Sequence, residues 1–235
     1  MQYIYHYKRE MGQDTTYKLL KNIDNPQDLR KLGSEKLPEV CKELRDKIID
    51  ELSCNPGHFA SSLGVIELTV ALHYVYNTPY DRIVWDVGHQ AYVHKLLTGR
   101  QADFAHLRQY GGIAGFPKPS ESETDAFVAG HASNSVSVAT GMAKARTVLG
   151  QDYQVVALIG DGALTGGLAY EGLSNAGRSD DRLIVVLNDN KMSISKNVGF
   201  VARYLSHLRS QVKYVRVKQK VTKVLNHTPL IGRPL

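Results

Sequence analysis

The sequence predicts an α/β protein whose doubly wound, mainly parallel sheet is flanked by helices. Two short apolar runs rich in β-branched residues, at 155–159 and 183–187, are typical of parallel strands buried on both faces. Between them, residues 164–177 are long enough for one crossover helix that ends at a glycine. A right-handed crossover makes the two strands neighbours in one sheet. The order of elements in the rest of the chain favours the same class.

The N-terminal part is predicted to be mainly helical. Residues 1–25 are polar and aromatic without periodicity, and we expect a loose arm there. Apolar residues recur at helical spacing over 37–52, where Pro38 suits the first turn of a helix. After a break at 55–57, residues 63–76 predict a second, largely buried helix.

A short strand at 82–86 leads into the turn Gly88-His89-Gln90, and a helix is expected from about 90 to 97. Residues 109–130 are rich in glycine, proline and serine. This loop is too long for an ordinary connection, so it is a candidate for function.

The remaining elements complete one domain at 26–200. Small residues predict a helix over 133–149, with Ser133 or Asn134 as its cap. The strand–helix–strand unit follows it. Residues 201–235 are expected to form a mostly helical, basic tail.

Composition limits the class of protein. A chain of 235 residues can bury a full core and is most simply one domain with appendages. No stretch reaches the roughly 18 apolar residues of a membrane helix, and residues 1–6 do not resemble a signal peptide. Cys41 and Cys54 are too few for a disulfide framework and lack partners for a zinc site. We therefore expect a cytoplasmic protein.

The net charge of +6 belongs to the C-terminal segment. Residues 201–235 hold eight of the 29 Lys and Arg residues and no Asp or Glu, which leaves 21 basic against 23 acidic residues elsewhere. Such a segment could meet RNA or an anionic surface, but it is more often a solvated helix face or a docking surface. Nucleic-acid binding is therefore a weak alternative.

Oxygen donors follow each of the two predicted strands. Gly160-Asp161-Gly162-Ala163 ends the first, and Asn188-Asp189-Asn190 ends the second. Because neighbouring parallel strands end at one edge of a sheet, Asp161 and Asn190 are expected to lie close together. Their oxygens suit Mg²⁺ or Ca²⁺ that holds a phosphorylated cofactor. A lone glycine turn is usually only a strand-to-helix connection, but the pair is more specific.

Met192 follows closely in the sequence. A methionine there is more often core filler. Its backbone carbonyl is nevertheless a candidate metal ligand, because a tight loop after a strand turns carbonyls inward.

Three histidines follow a glycine: His58, His89 and His131. A single histidine among nine is more often a structural residue than a catalyst. Three Gly-His pairs at predicted element starts are harder to dismiss, since neutral imidazole can donate to phosphate or transfer a proton. The segment 130–135 also begins a helix, where free N–H groups and Ser hydroxyls would form an anion site.

Together these motifs resemble the 1-deoxy-D-xylulose-5-phosphate synthases, thiamine-diphosphate enzymes of the transketolase superfamily. The paired clusters are similar to the diphosphate-binding motif of such enzymes, and the resemblance covers about residues 25–235. The strings that carry it are Gly57–Gly64, Trp85–Tyr92, His94-Lys95, Leu97–Arg100, Gly111-Gly112, Gly115–Pro117, Ser120–Glu123, Gly160–Ala163 and Asn188–Ser195.

The resemblance implies thiamine diphosphate and Mg²⁺ as cofactors. The implied metal ligands are Asp161, Asn190 and the carbonyl of Met192. The implied cofactor-binding residues are His58, His89, His131, Ser133, Gly160, Gly162, Ala163 and Asn190. His58 is also implied as the catalytic residue that faces the substrate and assists proton transfer.

The implied reaction condenses pyruvate with glyceraldehyde 3-phosphate, with loss of CO₂, to a precursor of isoprenoids, thiamine and pyridoxal. The family continues beyond the matched part into a domain that binds the aminopyrimidine ring, and then a third. We therefore expect little or no synthase activity from this chain alone, and a homodimer or a second, pyrimidine-binding chain as partner. Val93 stands where the family usually has Pro, which is a minor departure. Ala132 and Asn134 stand where Ser and Thr are common, so one hydroxyl contact is in doubt.

Two alternatives remain at this stage. One is a subunit of a split, transketolase-like enzyme that uses another ketose donor. The other is a non-catalytic domain that binds thiamine diphosphate or a partner without turnover.

Overall fold

The computed structural model describes residues 17–190, which lie within one compact unit. The three strands in this range are β1 (Arg82–Trp85), β2 (Val155–Gly160) and β3 (Ile184–Asn188). The α-helices are α1 (Pro26–Lys31), α2 (Leu37–Leu52), α3 (Phe59–Leu63), α4 (Ile66–Val75), α5 (Tyr92–Leu96), α6 (Ser135–Val148) and α7 (Gly167–Arg178). Short 3₁₀ turns lie at Leu20–Asn22, Ser34–Lys36, Asp103–His106 and Ala163–Thr165.

The strands form one parallel sheet in the order β1-β2-β3. Arg82 pairs with Val155 at the start of the β1–β2 ladder, and Gly160 pairs with Asn188 at the end of the β2–β3 ladder. The α7 crossover joins β2 to its neighbour β3, as predicted, but the helix runs past Gly177 to Arg178 and does not end at the expected glycine. The carboxyl ends of β2 and β3 therefore meet at one edge of the sheet.

Helices cover both faces of this sheet. On one face, Leu72 of α4 packs with Trp85 and Leu158. On the other face, α6 packs on β2 with the fully buried Val136 and Ala139. The parallel sheet with flanking helices confirms the predicted α/β class. β1 and β2 are largely buried, but the prediction of burial on both faces was wrong for β3, whose residues are half-buried or exposed.

A second core joins the N-terminal helices, and it includes residues expected to form a loose arm. Leu20 and Ile23 are almost fully buried in it. The carboxylate of Glu43 accepts the backbone N–H groups of Lys18, Leu19 and Leu20 at 2.8–3.3 Å. The prediction of a loose arm was therefore wrong for residues 17–25. The local sequence pattern does not reveal that the distant Glu43 carboxylate binds this backbone, or that the core receives Leu20 and Ile23. Residues 1–16 lie outside the described range.

Other boundaries differ from the predictions. The helix expected at 63–76 is α4, which begins only at Ile66 and ends at Val75, and a separate short helix, α3, precedes it at Phe59–Leu63. The helix expected from about 90 to 97 is only α5, because the Gly88 turn continues to Ala91.

The loop predicted at 109–130 contains no helix or strand. No helix in residues 17–190 is long and apolar enough to cross a membrane. The basic tail at 201–235 lies outside the described residues.

Candidate active site

The two oxygen-donor clusters are adjacent in space. The backbone N–H of Asp161 donates to the carbonyl of Asn188 at 3.1 Å, one step beyond the last ladder pair. Asp161 is half-buried, whereas Asn190 is exposed. The prediction that β2 and β3 bring these clusters together is confirmed.

Asn190 also reaches the N-terminal helices. A Cβ at Gly64 would overlap the Asn190 side-chain amide. The missing side chain between α3 and α4 is thus what admits Asn190. This contact links the N-terminal helices to the end of β3.

The start of α6 is tied to both β1 and the turn after β2. Asp86 follows β1, and its carboxylate accepts the N–H groups of Ser133 at 2.8 Å and Ser135 at 3.0 Å. The Ser133 hydroxyl donates to the carbonyl of Ala163 at 2.6 Å. Ser133 adopts a left-handed backbone, with φ of 74°.

These bonds correct two predictions. Neither Ser133 nor Asn134 caps α6 through its side chain. Two of the N–H groups expected to form an anion site, those of Ser133 and Ser135, are not free, because the buried carboxylate of Asp86 accepts both.

His58 and His89 face each other in one cluster. Their rings meet edge to face with centroids 5.5 Å apart. The Phe116 ring lies 5.9 Å from His58, and the His58 backbone N–H donates to the Tyr92 hydroxyl at 3.2 Å. Arg108 Nη1 donates to His58 Nδ1 at 3.3 Å.

These contacts define the protonation of His58. Guanidinium can only donate, so Nδ1 must be the acceptor and the neutral ring carries its proton on Nε2. Burial lowers the pKa of His58, and the charge of Arg108 lowers it further. Burial also lowers the pKa of His89, with a smaller contribution from His58. Both rings are therefore neutral at neutral pH.

The site has room and an unused polar atom. His89 Nδ1 is buried and has no hydrogen-bond partner among residues 17–190. A Cβ added at Gly130, Gly160 or Gly162 would meet no described atom within 4 Å. Open backbone at these glycines and the unpartnered Nδ1 of neutral His89 are each suited to a bound phosphate group. One carboxylate and one amide oxygen, from Asp161 and Asn190, suit Mg²⁺ that keeps water and phosphate ligands.

The remaining predicted residues are His131 and Met192. His131 is exposed, and Met192 lies outside the described range. In residues 17–190 no three His, Cys, Asp or Glu side chains group around a metal position. A metal held mainly by one carboxylate, one amide and a carbonyl would not produce such a group.

Sequence reasoning assigned no role to Asp86, Tyr92, Arg108 or Phe116. Asp86 carried a usable signal, because it follows a buried strand as Asp161 does. Arg108 and Phe116 lie in or beside the long loop, where no periodicity indicates which side chain turns inward.

The profile of a protein family described as 1-deoxy-D-xylulose-5-phosphate synthase matches residues 20–235. The chain is 60% identical over 223 residues to a protein of that name from Phocaeicola vulgatus, covering 94% of this chain and 35% of the relative. It is 54% identical over 214 residues to the one from Syntrophomonas wolfei, covering 91% and 34%. The chain thus spans about a third of the length of these relatives.

Two solved transketolases resemble the structure. The one from Leishmania mexicana has a TM-score of 0.63 at 20% identity, covering 86% of this chain and 36% of that one. The one from Campylobacter jejuni has a TM-score of 0.61 at 24% identity, covering 80% and 32%. At these identities the likeness shows the fold alone.

The family profile and the relatives agree over more than nine tenths of the chain. The family depends on thiamine diphosphate and Mg²⁺. The chain belongs to the 1-deoxy-D-xylulose-5-phosphate synthase family.

Proposed function

We propose that this chain binds the diphosphate of thiamine diphosphate through Mg²⁺, as the N-terminal part of a 1-deoxy-D-xylulose-5-phosphate synthase. The proposed metal ligands are Asp161, Asn190 and the backbone carbonyl of Met192. The residues proposed around the cofactor are His58, His89, His131, Ser133, Gly160, Gly162, Ala163 and Asn190.

One observation carries the proposal. β2 and β3 end side by side, with the Asp161 N–H bonded to the Asn188 carbonyl, so a carboxylate and an amide follow adjacent strand ends. The carboxyl edge of a parallel sheet is where α/β proteins bind ligands. The open glycines and the unpaired His89 Nδ1 support a phosphate group nearby.

Ser133 has a changed role in this proposal. Its hydroxyl donates to Ala163 and its N–H to Asp86, so Ser133 holds the turn after β2 in place. That turn supplies the exposed backbone of Gly162. Ser133 therefore supports the cofactor site through Ala163.

His58 is proposed to move protons on the substrate side. Arg108 occupies its Nδ1, which leaves Nε2–H as the donor toward a substrate oxygen. The lowered pKa keeps the ring neutral, so Nε2–H assists as a hydrogen-bond donor to that oxygen, and Nδ1 can take up a proton only once Arg108 releases it. Phe116 and Tyr92 limit the ring's rotation by contact with it.

The proposed overall reaction condenses pyruvate with glyceraldehyde 3-phosphate and releases CO₂. When bound, thiamine diphosphate supplies the electron sink for this decarboxylation. Since the chain spans about a third of its relatives, we propose that these 235 residues hold the diphosphate but need a pyrimidine-binding partner for turnover. Rapid pyruvate decarboxylation by the purified chain with both cofactors would contradict this part.

Calorimetry with thiamine diphosphate and Mg²⁺ tests the binding site. Asp161→Ala removes the only carboxylate among the proposed ligands, and we expect the affinity to fall at least about tenfold, roughly 1.4 kcal/mol. Asp180→Ala is the matched control, because Asp180 is exposed and precedes β3 at the opposite end of the strand. Equal affinity of wild type and Asp161→Ala would refute the site.

A further inference from the structure

A buried polar network joins the long loop at 109–130 to α5, outside the proposed cofactor site. Six titratable side chains form it: His73, His94, Lys95, Arg100, Glu121 and Asp125. His73, His94 and Lys95 have no exposed surface. Burying polar groups costs free energy unless they are paired with one another. The pairs therefore show which parts of the protein the network connects.

The two loop carboxylates are the acceptors. Asp125 binds both Arg100 Nη atoms, at 2.8 and 2.9 Å, and accepts from His94 Nε2 at 2.7 Å. Glu121 accepts from Arg100 Nη1 at 3.0 Å and from the ammonium of Lys95. His94 and Lys95 belong to α5, so the loop is fastened to that helix.

The charges balance with both histidines neutral. Two cations, Lys95 and Arg100, face two carboxylates. His94 donates from Nε2 to Asp125, so its Nδ1 accepts from His73 Nε2 at 2.9 Å. The His73 Nδ1 then accepts the Thr78 hydroxyl at 3.2 Å. The series of hydrogen bonds from Thr78 through both histidines to Asp125 is therefore satisfied with each histidine carrying a single ring proton.

The same carboxylates also hold the loop backbone. Glu121 accepts the N–H of Ala114, and Asp125 accepts the N–H of Lys118, each at 2.7 Å. These two positions bracket Phe116 and Pro117. The loop is therefore fixed on both sides of the ring that contacts His58.

Between these anchors the loop meets the site directly. Phe116 packs on His58, and a Cβ at Gly88, next to His89, would overlap Pro117. The Pro117 carbonyl accepts the N–H of Ala129 at 3.1 Å, which closes the loop on itself. The turn 114–118 is thus one wall beside His58 and His89.

We propose that Asp125 and Glu121 are positioning residues. They hold the turn 114–118 so that Phe116 fixes the orientation of the His58 ring and forms one wall of the space beside that ring. That this wall lines the substrate side rests on the proposed function. The placement of Phe116 on His58 by the network does not.

Nuclear magnetic resonance of the full chain without ligand tests the placement. With ¹³C-labelled histidine, the His58 ring signal reports the neighbouring Phe116 ring. We expect Asp125→Asn to move this signal toward that of a free histidine, as Phe116→Ala does. Glu123→Gln, an exposed carboxylate in the same loop, is the matched control and should leave the signal in place.

A double substitution separates positioning from general loosening. In the Phe116→Ala background, Asp125→Asn should cause no further change of the His58 signal. An unchanged His58 signal in folded Asp125→Asn, or an equal change in both backgrounds, would overturn the proposal. If Asp125→Asn does not fold, Glu121→Gln is subject to the same criteria, because Glu121 is less buried.

The calorimetric test of Asp161 stays independent of this one. Equal cofactor affinity of wild type and Asp161→Ala would refute the proposed function and leave the His58 signals unaffected. An undisturbed His58 signal would refute the positioning role whether or not the cofactor binds.

Discussion

The carboxylate of Asp86 accepts the backbone N–H of Ser133 at 2.8 Å and so binds the end of β1 to the start of α6. The chain's own anion thereby occupies the helix end that would otherwise attract a phosphate. The diphosphate is therefore expected at the turn after β2, which Ser133 supports through Ala163.

Asp86→Asn should lower the free energy of unfolding by about 2 kcal/mol, because a charged acceptor of two buried N–H groups is lost. The amide can accept only one of them and turns its own N–H₂ toward the other. Urea denaturation near neutral pH measures the change. Asp180→Asn, on the surface, should stay within about 0.5 kcal/mol of wild type; equal stability of the two variants would contradict the role of Asp86.

Gly64→Ala should weaken the binding of thiamine diphosphate with Mg²⁺ by about 10- to 100-fold, since it displaces the Asn190 amide. Backbone strain does not contribute, because Gly64 has φ of −75°, which alanine adopts freely. Calorimetry gives the affinity. Gly141→Ala in α6 is the control: its Cβ meets no described atom within 4 Å, so the affinity should be unchanged. Full affinity in Gly64→Ala would show that Asn190 is not a ligand.

Arg108→Gln should raise the pKa of His58. The guanidinium bonds to Nδ1 and opposes a second proton, so its removal makes the charged ring less unfavourable. The pKa should stay below 6.5, because burial is the larger cause of the shift. A histidine titration followed by nuclear magnetic resonance measures it, with the exposed Arg178→Gln as control. An unchanged or lower pKa would contradict the contact.

Features of the fold that depend on residues close together in the sequence could be predicted, and those that depend on distant residues could not. The strands, the α7 crossover and the adjacency of the strand ends that carry Asp161 and Asn188 follow from local patterns and one topological rule. The cap of α6 could not be predicted in the same way, because Asp86 lies 47 residues from Ser133. The burial of Leu20 likewise depends on Glu43, 23 residues away.

The site residues also differ in whether a local pattern or a long-range contact determines their positions. His58 and His89 each follow a glycine at an element boundary, a signal that lies within the sequence. Phe116 has no such signal, since its position depends on Glu121 and Asp125 binding the buried cations of α5 and the turn after it. Long-range ion pairs of this kind leave no periodicity in the chain.

The stability of the described unit should fall as the pH decreases below about 6.5. Burial lowers the pKa of His73 and His94 below this ordinary value in the folded state. The unfolded chain therefore binds more protons between the two values, so the stability is full above 6.5 and is lost as the pH falls. Urea denaturation at several pH values measures this slope. His73→Gln should be less stable near neutral pH but should show a shallower slope; an unchanged slope would contradict the assignment.

A crystal structure of the chain with thiamine diphosphate and Mg²⁺ tests the central claim most directly. The account predicts one metal ion at roughly 2.0–2.1 Å from oxygens of both Asp161 and Asn190, with the diphosphate as a further ligand beside Gly162. A diphosphate bound elsewhere, or a metal ion that contacts neither side chain, would contradict it.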